Sequence, residues 1–543
     1  MAHTPPGPPP PDPQAPEPAS PAISRRTLLL GAGFGLANVA LVGALVVDDG
    51  GSKSASTASR ARVVVKGERV QHAPPAIDGA KPPPEGHVFD RVITGGRVMD
   101  PATGYDQVAD VGIDGNVITA ISTKALTGKA SIDATNLVVA PGFIDLLSYE
   151  PNDFGTWYKI GDGITTNLGM HGLNSLPDAF FELYGSDANR PPVHYGGAFD
   201  DPWMRTHDRI PTRAALASQV SELSSQVESG FASGWLGVDF EPEYTPWVTD
   251  VEINALATVA AKHQMPVFFH VRYSSPNDPG QDNATALAEV LAVAEATGAS
   301  VHVDHITSTG GTHTMPQSVE TLEKARAKGV DVTACMYPYT FWATYAASSR
   351  FGYGWQQRFE IDYSDLQIPG TDQRLTAATF AQAQRRNELV AAYAIPEADI
   401  VTGLQTDWIM LGSDCILDPP TNGLPPDNHP RGAGCMTRVL GHYVREQKTL
   451  SLMDALKKMT ILPARRLEKR APALTKKGRL QMGADADITV FDPATVSDRS
   501  TIDNPAQMAA GIEYVLVMGQ LVKEGDTLHR DVRPGLPIKS VVA

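Results

Sequence analysis

The chain has 543 residues, 42% apolar and 20% charged, a composition that excludes a disordered or fibrous protein and supplies more core than one ordinary domain needs. Lys and Arg number 45 against 61 Asp and Glu, and the resulting formal charge of −16 argues against nucleic acid as a partner and leaves a small molecule as the expected ligand. Cys335, Cys415 and Cys435 are the only cysteines, too few for a disulfide scaffold and spaced like no zinc finger.

In chain order, residues 1–60 read as a proline-rich tail followed by a targeting segment. Ser24-Arg25-Arg26-Thr27-Leu28-Leu29-Leu30 leads into an uncharged apolar run ending at Val47, which resembles a twin-arginine export signal and implies the twin-arginine machinery as a partner. The run over 27–47 is also long enough to act as a membrane anchor. Either reading places the body outside the cytoplasm of a bacterium. Residues 61–86 read as a linker.

Short strands begin at 87–139, where Asp114-Gly115-Asn116 marks a tight hairpin turn between Val111-Gly112-Ile113 and Val117-Ile118. Over 140–470 strand-like and helix-like segments alternate, the rhythm of a parallel barrel with crossover helices. Strands are expected at 235–240, 266–270, 300–305, 330–337 and 408–414, and helices at 253–263, 284–297, 318–328 and 452–467. Residues 341–400 break the rhythm and read as an insertion near the barrel mouth. Residues 471–543 return to short strands. The expected fold class is α/β: a TIM-like (β/α) barrel with a small β-sandwich built from both chain ends.

Strand ends carry the chemistry of such barrels. His270 closes Pro266-Val267-Phe268-Phe269 and His305 closes Val301-His302-Val303-Asp304, one βα unit apart, where imidazoles are natural metal ligands. Asp414 ends the apolar run Ile409-Met410-Leu411-Gly412-Ser413. A carboxylate there is placed to take a proton during attack on a carbonyl and to return it to a leaving amine, although a turn or helix cap would use the same residue. Cys415, next to it, reads as a small buried apolar residue.

Residues 88–525 resemble the D-aminoacylase branch of the amidohydrolase superfamily, the N-acyl-D-amino-acid deacylases. The resemblance rests on Pro141-Gly142-Phe143-Ile144-Asp145, Gly163-Ile164-Thr165-Thr166, His270-Val271-Arg272, His305, Tyr337-Pro338-Tyr339-Thr340, Gly412-Ser413-Asp414, His429-Pro430-Arg431 and Leu462-Pro463-Ala464-Arg465. In that family the first strand ends in His-x-His, and both histidines hold metal. Leu147 and Tyr149 stand there in this chain, and neither is an ordinary metal ligand.

The family also has a ligand cysteine after its Gly-Val-Thr-Thr strand, where this chain has Asn167-Leu168-Gly169-Met170-His171-Gly172. With one residue deleted relative to the family, His171 falls on the ligand position. The resemblance then implies one zinc per chain on His171, His270 and His305, with Asp414 as base and Tyr337 or Tyr339 with Arg431 holding a substrate carboxylate. Tyr149 either donates a hydrogen bond to a developing oxyanion or packs with Leu147 as a plug. Glu241, Glu243 and Tyr244 stand at a strand end, either orienting a ligand from behind or lying in a solvated loop. Thr307 replaces a lysine common in the family, so an altered substrate is expected. The implied activity is metal-dependent hydrolysis of an N-acyl amide of a D-amino acid. Non-hydrolytic chemistry and a non-catalytic small-molecule-binding role are the alternatives that the lost first-strand histidines leave open.

Overall fold

In the computed structural model the described residues are 73–77, 79–420 and 428–542. The expected tail, signal and anchor at 1–60, with half of the linker, lie outside them. No helix among the described residues is long and apolar enough to cross a membrane.

The first strands are β1 (Val88–Asp100), β2 (Tyr105–Asp114), β3 (Val117–Ser122), β4 (Thr127–Asp133) and β5 (Val138–Pro141). The β2–β3 hairpin pairs Asp114 with Val117 across the expected turn. Gly115 takes φ +58 there, the left-handed conformation that the first central position of a primed turn demands. β1 shifts register between Ile93 and Gly96. Its first half pairs with β4 and its second half with β5, so one strand serves two layers, as at the corner of a sandwich.

The barrel strands are β6 (Phe143–Asp145), β7 (Ile164–Gly169), β8 (His194–Gly197), β9 (Phe199–Asp200), β10 (Val238–Phe240), β11 (Pro266–Phe269), β12 (Ser300–Val303) and β13 (Val332–Met336). Next come β14 (Trp342–Tyr345), β15 (Leu366–Gln367) and β16 (Leu389–Ala392), an antiparallel sheet inside the insertion. β17 (Ile409–Leu411) is the last barrel strand. Parallel ladders run β6–β7–β8 and β9–β10–β11–β12–β13–β17. The chain steps from one ladder to the other at Ala198, whose N–H bonds Gly169 while that of Phe199 bonds Gly237. A bond from Asp414 N to Leu147 O, 2.7 Å, ties the end of the last strand to the end of the first.

Side chains alternate along these strands. Val238, Phe240, Val267, Phe269, Val301 and Val303 join the large core shared with the helices, whereas Leu147, Leu168, Phe268, Cys335 and Met410 fill a separate cluster with Ile144. The helices Asp250–His263, Asn283–Thr297 and Met315–Ala327 agree with expectation. The expected helix at 452–467 is two, Leu452–Met459 and Ile461–Leu467, parted at Thr460 with φ −134 and ψ −81. Pro463 has no N–H for the Met459 carbonyl and cannot sit inside a continuous helix.

β18 (Ile488–Phe491), β19 (Ile512–Val517), β20 (Gln520–Glu524) and β21 (Thr527–Leu528) end the chain. β18 pairs antiparallel with β5, so strands of both chain ends form one nine-stranded array. Its core takes Val98, Val111, Ile118 and Val139 from one end and Ile488, Val490 and Leu516 from the other.

Candidate metal and catalytic site

The expected strands prove shorter than the apolar runs because their last residues leave the ladders to line a cavity. His305 (φ +29) and Asp414 (φ +51) adopt left-handed backbone immediately beyond β12 and β17. Such strain in a non-glycine residue persists only where its surroundings enforce it, and it clusters at functional sites.

Three histidines meet there, each almost fully buried. His270 Nδ1 lies 3.2 Å from His305 Nε2, and ligand atoms of His171, His270 and His305 all fall within 4.8 Å of one another. Nitrogens bound tetrahedrally at 2.0–2.1 Å stand about 3.4 Å apart, so the donor set fits zinc. The Glu243 carboxylate accepts from His270 Nε2 at 2.8 Å and from Ser274 Oγ at 2.8 Å. That bond fixes the tautomer and leaves Nδ1 as the free ligand atom. Asp239 Oδ2 at 3.2 Å and Glu241 Oε1 at 3.5 Å stand behind His171 Nδ1.

Asp414 faces this group, 3.9 Å from His171 Nε2 and 3.8 Å from His305 Nε2. Tyr149 Oη donates to Asp414 Oδ1 at 3.1 Å, and Arg431 Nη2 pairs with Oδ2 at 2.8 Å. Leu147 alone takes the packing role offered for the first strand, being fully buried in the inner cluster. The Arg431 guanidinium also lies 4.2 Å above the Tyr337 ring, while its Nε and Nη1 have no hydrogen-bond partner. Tyr339 is turned elsewhere: its hydroxyl reaches Pro430 O at 3.5 Å and its ring lies under Arg438. Thr307 is buried with an unpartnered hydroxyl. Cys415 is buried and free, as are the other two cysteines.

Electrostatics divides the histidines. Burial, helped by the Arg350 guanidinium, holds His270 well below the usual range. Burial likewise holds His305 low against the pull of Asp414, so both present lone pairs at neutral pH. For His171 the carboxylates of Glu241 and Asp239 overcome burial and raise it well above the ordinary value. Burial pushes the Asp414 carboxyl up, but Arg431, His305 and His171 outweigh it and hold the group ionised.

Three further contributors carry no sequence signal of their own. Arg350, from the insertion, reaches Glu243 Oε2 at 3.3 Å and the Ser308 carbonyl at 2.8 Å. Lys159, in the helix Gly155–Gly161, bonds Asp145 Oδ2 at 2.6 Å, Ser413 Oγ at 2.6 Å and the Cys415 carbonyl at 2.5 Å, bracketing Asp414. Asp304 points inward just before His305. Asp239, also not singled out, stands two residues before Glu241, a strand spacing that could have flagged it.

The amidohydrolase family model matches residues 404–523. An N-acyl-D-glutamate deacylase of Alcaligenes xylosoxydans xylosoxydans is 32% identical over 491 residues, which span 82% of this chain and 97% of that protein. A D-aminoacylase of the same organism is 30% identical over 476 residues, 79% of this chain and 94% of that one. Among solved structures, an N-acyl-D-glutamate deacylase from Bordetella bronchiseptica, complexed with zinc and a phosphonate mimic of the tetrahedral intermediate, aligns with a TM-score of 0.71 at 28% identity. The alignment covers 84% of this chain and all of that one.

Proposed function

The chain belongs to the D-aminoacylase branch of the amidohydrolase superfamily and is a hydrolase of amide C–N bonds; from that premise we propose that it removes the acyl group of an N-acyl-D-amino acid at a single zinc held by His171, His270 and His305. The observation that carries this reading is the approach of the His270 and His305 nitrogens to 3.2 Å with Asp414 beside them. The names of the relatives support the substrate class.

Held by His171, His270 and His305, a zinc ion would supply Lewis-acid chemistry to the scissile carbonyl and to the attacking water. Asp414, kept ionised by Arg431, accepts the water proton and delivers it to the departing amine nitrogen. Arg431, with Nη2 on Asp414, presents the unpartnered Nη1 as a charged donor for the substrate carboxylate. Tyr149 holds Asp414 Oδ1 in place. Glu243 fixes the His270 ring, and Leu147 fills the volume of a lost histidine.

We also assign the activity to the outer side of the cytoplasmic membrane, on the strength of Arg25-Arg26 and the apolar run behind them. Fractionation of cells carrying the full chain and an Arg25→Lys/Arg26→Lys variant tests that assignment, with export lost only in the variant.

The activity test is a panel of N-acetyl-D- and N-acetyl-L-amino acids with zinc-loaded protein and the His270→Ala/His305→Ala variant. Release of acetate from D-substrates, abolished in the variant together with bound zinc, is expected. A wild-type protein that binds zinc and hydrolyses no D-substrate refutes the substrate assignment, and one that binds none refutes the site.

A further inference from the structure

Beneath the three histidines, four carboxylates crowd a buried space that the reaction does not use. Asp200, Asp239 and Glu241 offer oxygens within 4.8 Å of one another, and Asp239, Asp304 and His171 do the same, with Asp239 common to both groups. Asp239 gives Oδ2 to His171 and to the Gly172 N–H, while its Oδ1 has no hydrogen-bond partner. Asp304 is fully buried and neither of its carboxylate oxygens has a partner. A buried carboxylate with nothing to accept from is rare in a folded protein; it either stays protonated, as burial favours by raising the Asp304 carboxyl well above its ordinary value, or ionises against a cation.

The balance of charge points the same way. Six carboxylates surround the histidines: Asp200, Asp239, Glu241, Glu243, Asp304 and Asp414. Two guanidiniums answer them, Arg350 on Glu243 and Arg431 on Asp414. The His171 imidazolium is a third positive group, and burial still raises the Asp200, Glu241 and Asp304 carboxyls above their ordinary range.

We propose that Asp239 and Asp304, with Asp200 or Glu241 closing the shell, bind a second divalent cation of oxygen-preferring type, distinct from the zinc on the histidines. Carboxylate oxygens select ions such as Mn2+, Mg2+ or Ca2+. His171 joins the two positions. Its Nε2 lies 3.9 Å from Asp414 Oδ1, and its Nδ1 lies 3.2 Å from Oδ2 of the same Asp239 carboxylate that would hold the cation. The second ion thereby orients a ligand of the first and neutralises the floor of the site.

The test uses the full chain, stripped of metal, reloaded with one equivalent of zinc and titrated with Mn2+ as probe. Free Mn2+ is followed by electron paramagnetic resonance, and bound zinc by elemental analysis. About one Mn2+ per chain is expected beside the zinc. The His270→Ala/His305→Ala variant should lose zinc and keep Mn2+, whereas Asp304→Asn should keep zinc and bind Mn2+ at least tenfold more weakly. These opposite losses separate failure of this proposal from failure of the zinc site. Mn2+ should also raise the melting temperature of the wild type and not that of Asp304→Asn. Absence of bound Mn2+ in the zinc-loaded wild type, a result that needs no variant to fold, or undiminished binding by Asp304→Asn, overturns the proposal.

Discussion

Replacing Lys159 by Met tests the idea that a buried ion pair holds the general base in its strained place. Both Lys159 and Asp145 are fully buried. Removing one partner of such a pair leaves an uncompensated charge and costs about 3–5 kcal/mol. Asp145 would still accept from Ser413 N at 2.8 Å and Ser413 Oγ at 2.6 Å, so the lower end, about 3 kcal/mol, is expected. With about 2.1 cal/mol/K of unfolding entropy per residue over some 460 described residues, about 1 kcal/mol corresponds to one degree. Calorimetry should therefore find Lys159→Met melting about 3 °C below the wild type. Because the lysine also grips the Cys415 carbonyl beside Asp414, kcat should fall about tenfold with KM little changed, as expected when a catalytic group is misplaced by a fraction of an ångström. The double variant Asp145→Asn/Lys159→Met removes both charges and should recover most of the lost stability. An unchanged melting temperature in Lys159→Met, or a double variant that loses the sum of the two single losses, would show that the pair is not coupled as described.

Glu243→Gln keeps the size of the side chain but weakens the bond that fixes the His270 tautomer, and zinc affinity measured by competition with a chelator should drop 10- to 100-fold. Asp414→Asn should retain zinc while kcat falls by about 10²–10⁴; loss of the metal together with activity would make Asp414 a ligand rather than a base. His171 carries a raised pKa in the metal-free protein, so zinc must displace its proton. Calorimetry at pH 7 in buffers of different ionisation enthalpy should report about one proton released per zinc, and the apparent Kd should rise about tenfold for each pH unit below that. A pH-independent Kd between 5 and 7 would remove His171 from the ligand set.

The barrel rhythm, the hairpin at Gly115 and the placement of His270, His305 and Asp414 at strand ends were legible because each follows from a local rule. Apolar runs of strand length ended in polar residues, helices filled the gaps, and a glycine marked the turn. Helix 452–467 was misread as continuous because an apolar pattern persists across Thr460, while Pro463 controls the backbone. Tyr339 shared a motif with Tyr337 yet faces away, since alternate residues beyond β13 diverge once the strand leaves its ladder. Lys159, Arg350 and Asp304 carried no local signal. Each acquires its role from a partner at least 14 residues away, or, for Asp304, from the turn of His305 out of the strand.

The sequence by itself determined the periodicities, and hence the elements, together with which strands end in groups able to ligate or to move a proton. It also determined the loss of the first-strand ligands, because Leu147 has no donor atom in any fold. Only the tertiary structure decided that His171 joins His270 and His305, that Arg431 and Tyr149 grip Asp414, and that four carboxylates share one buried space. Those relations depend on closure between the first and last strands and on an insertion folding back over the mouth, and contacts between distant segments leave no period in the chain.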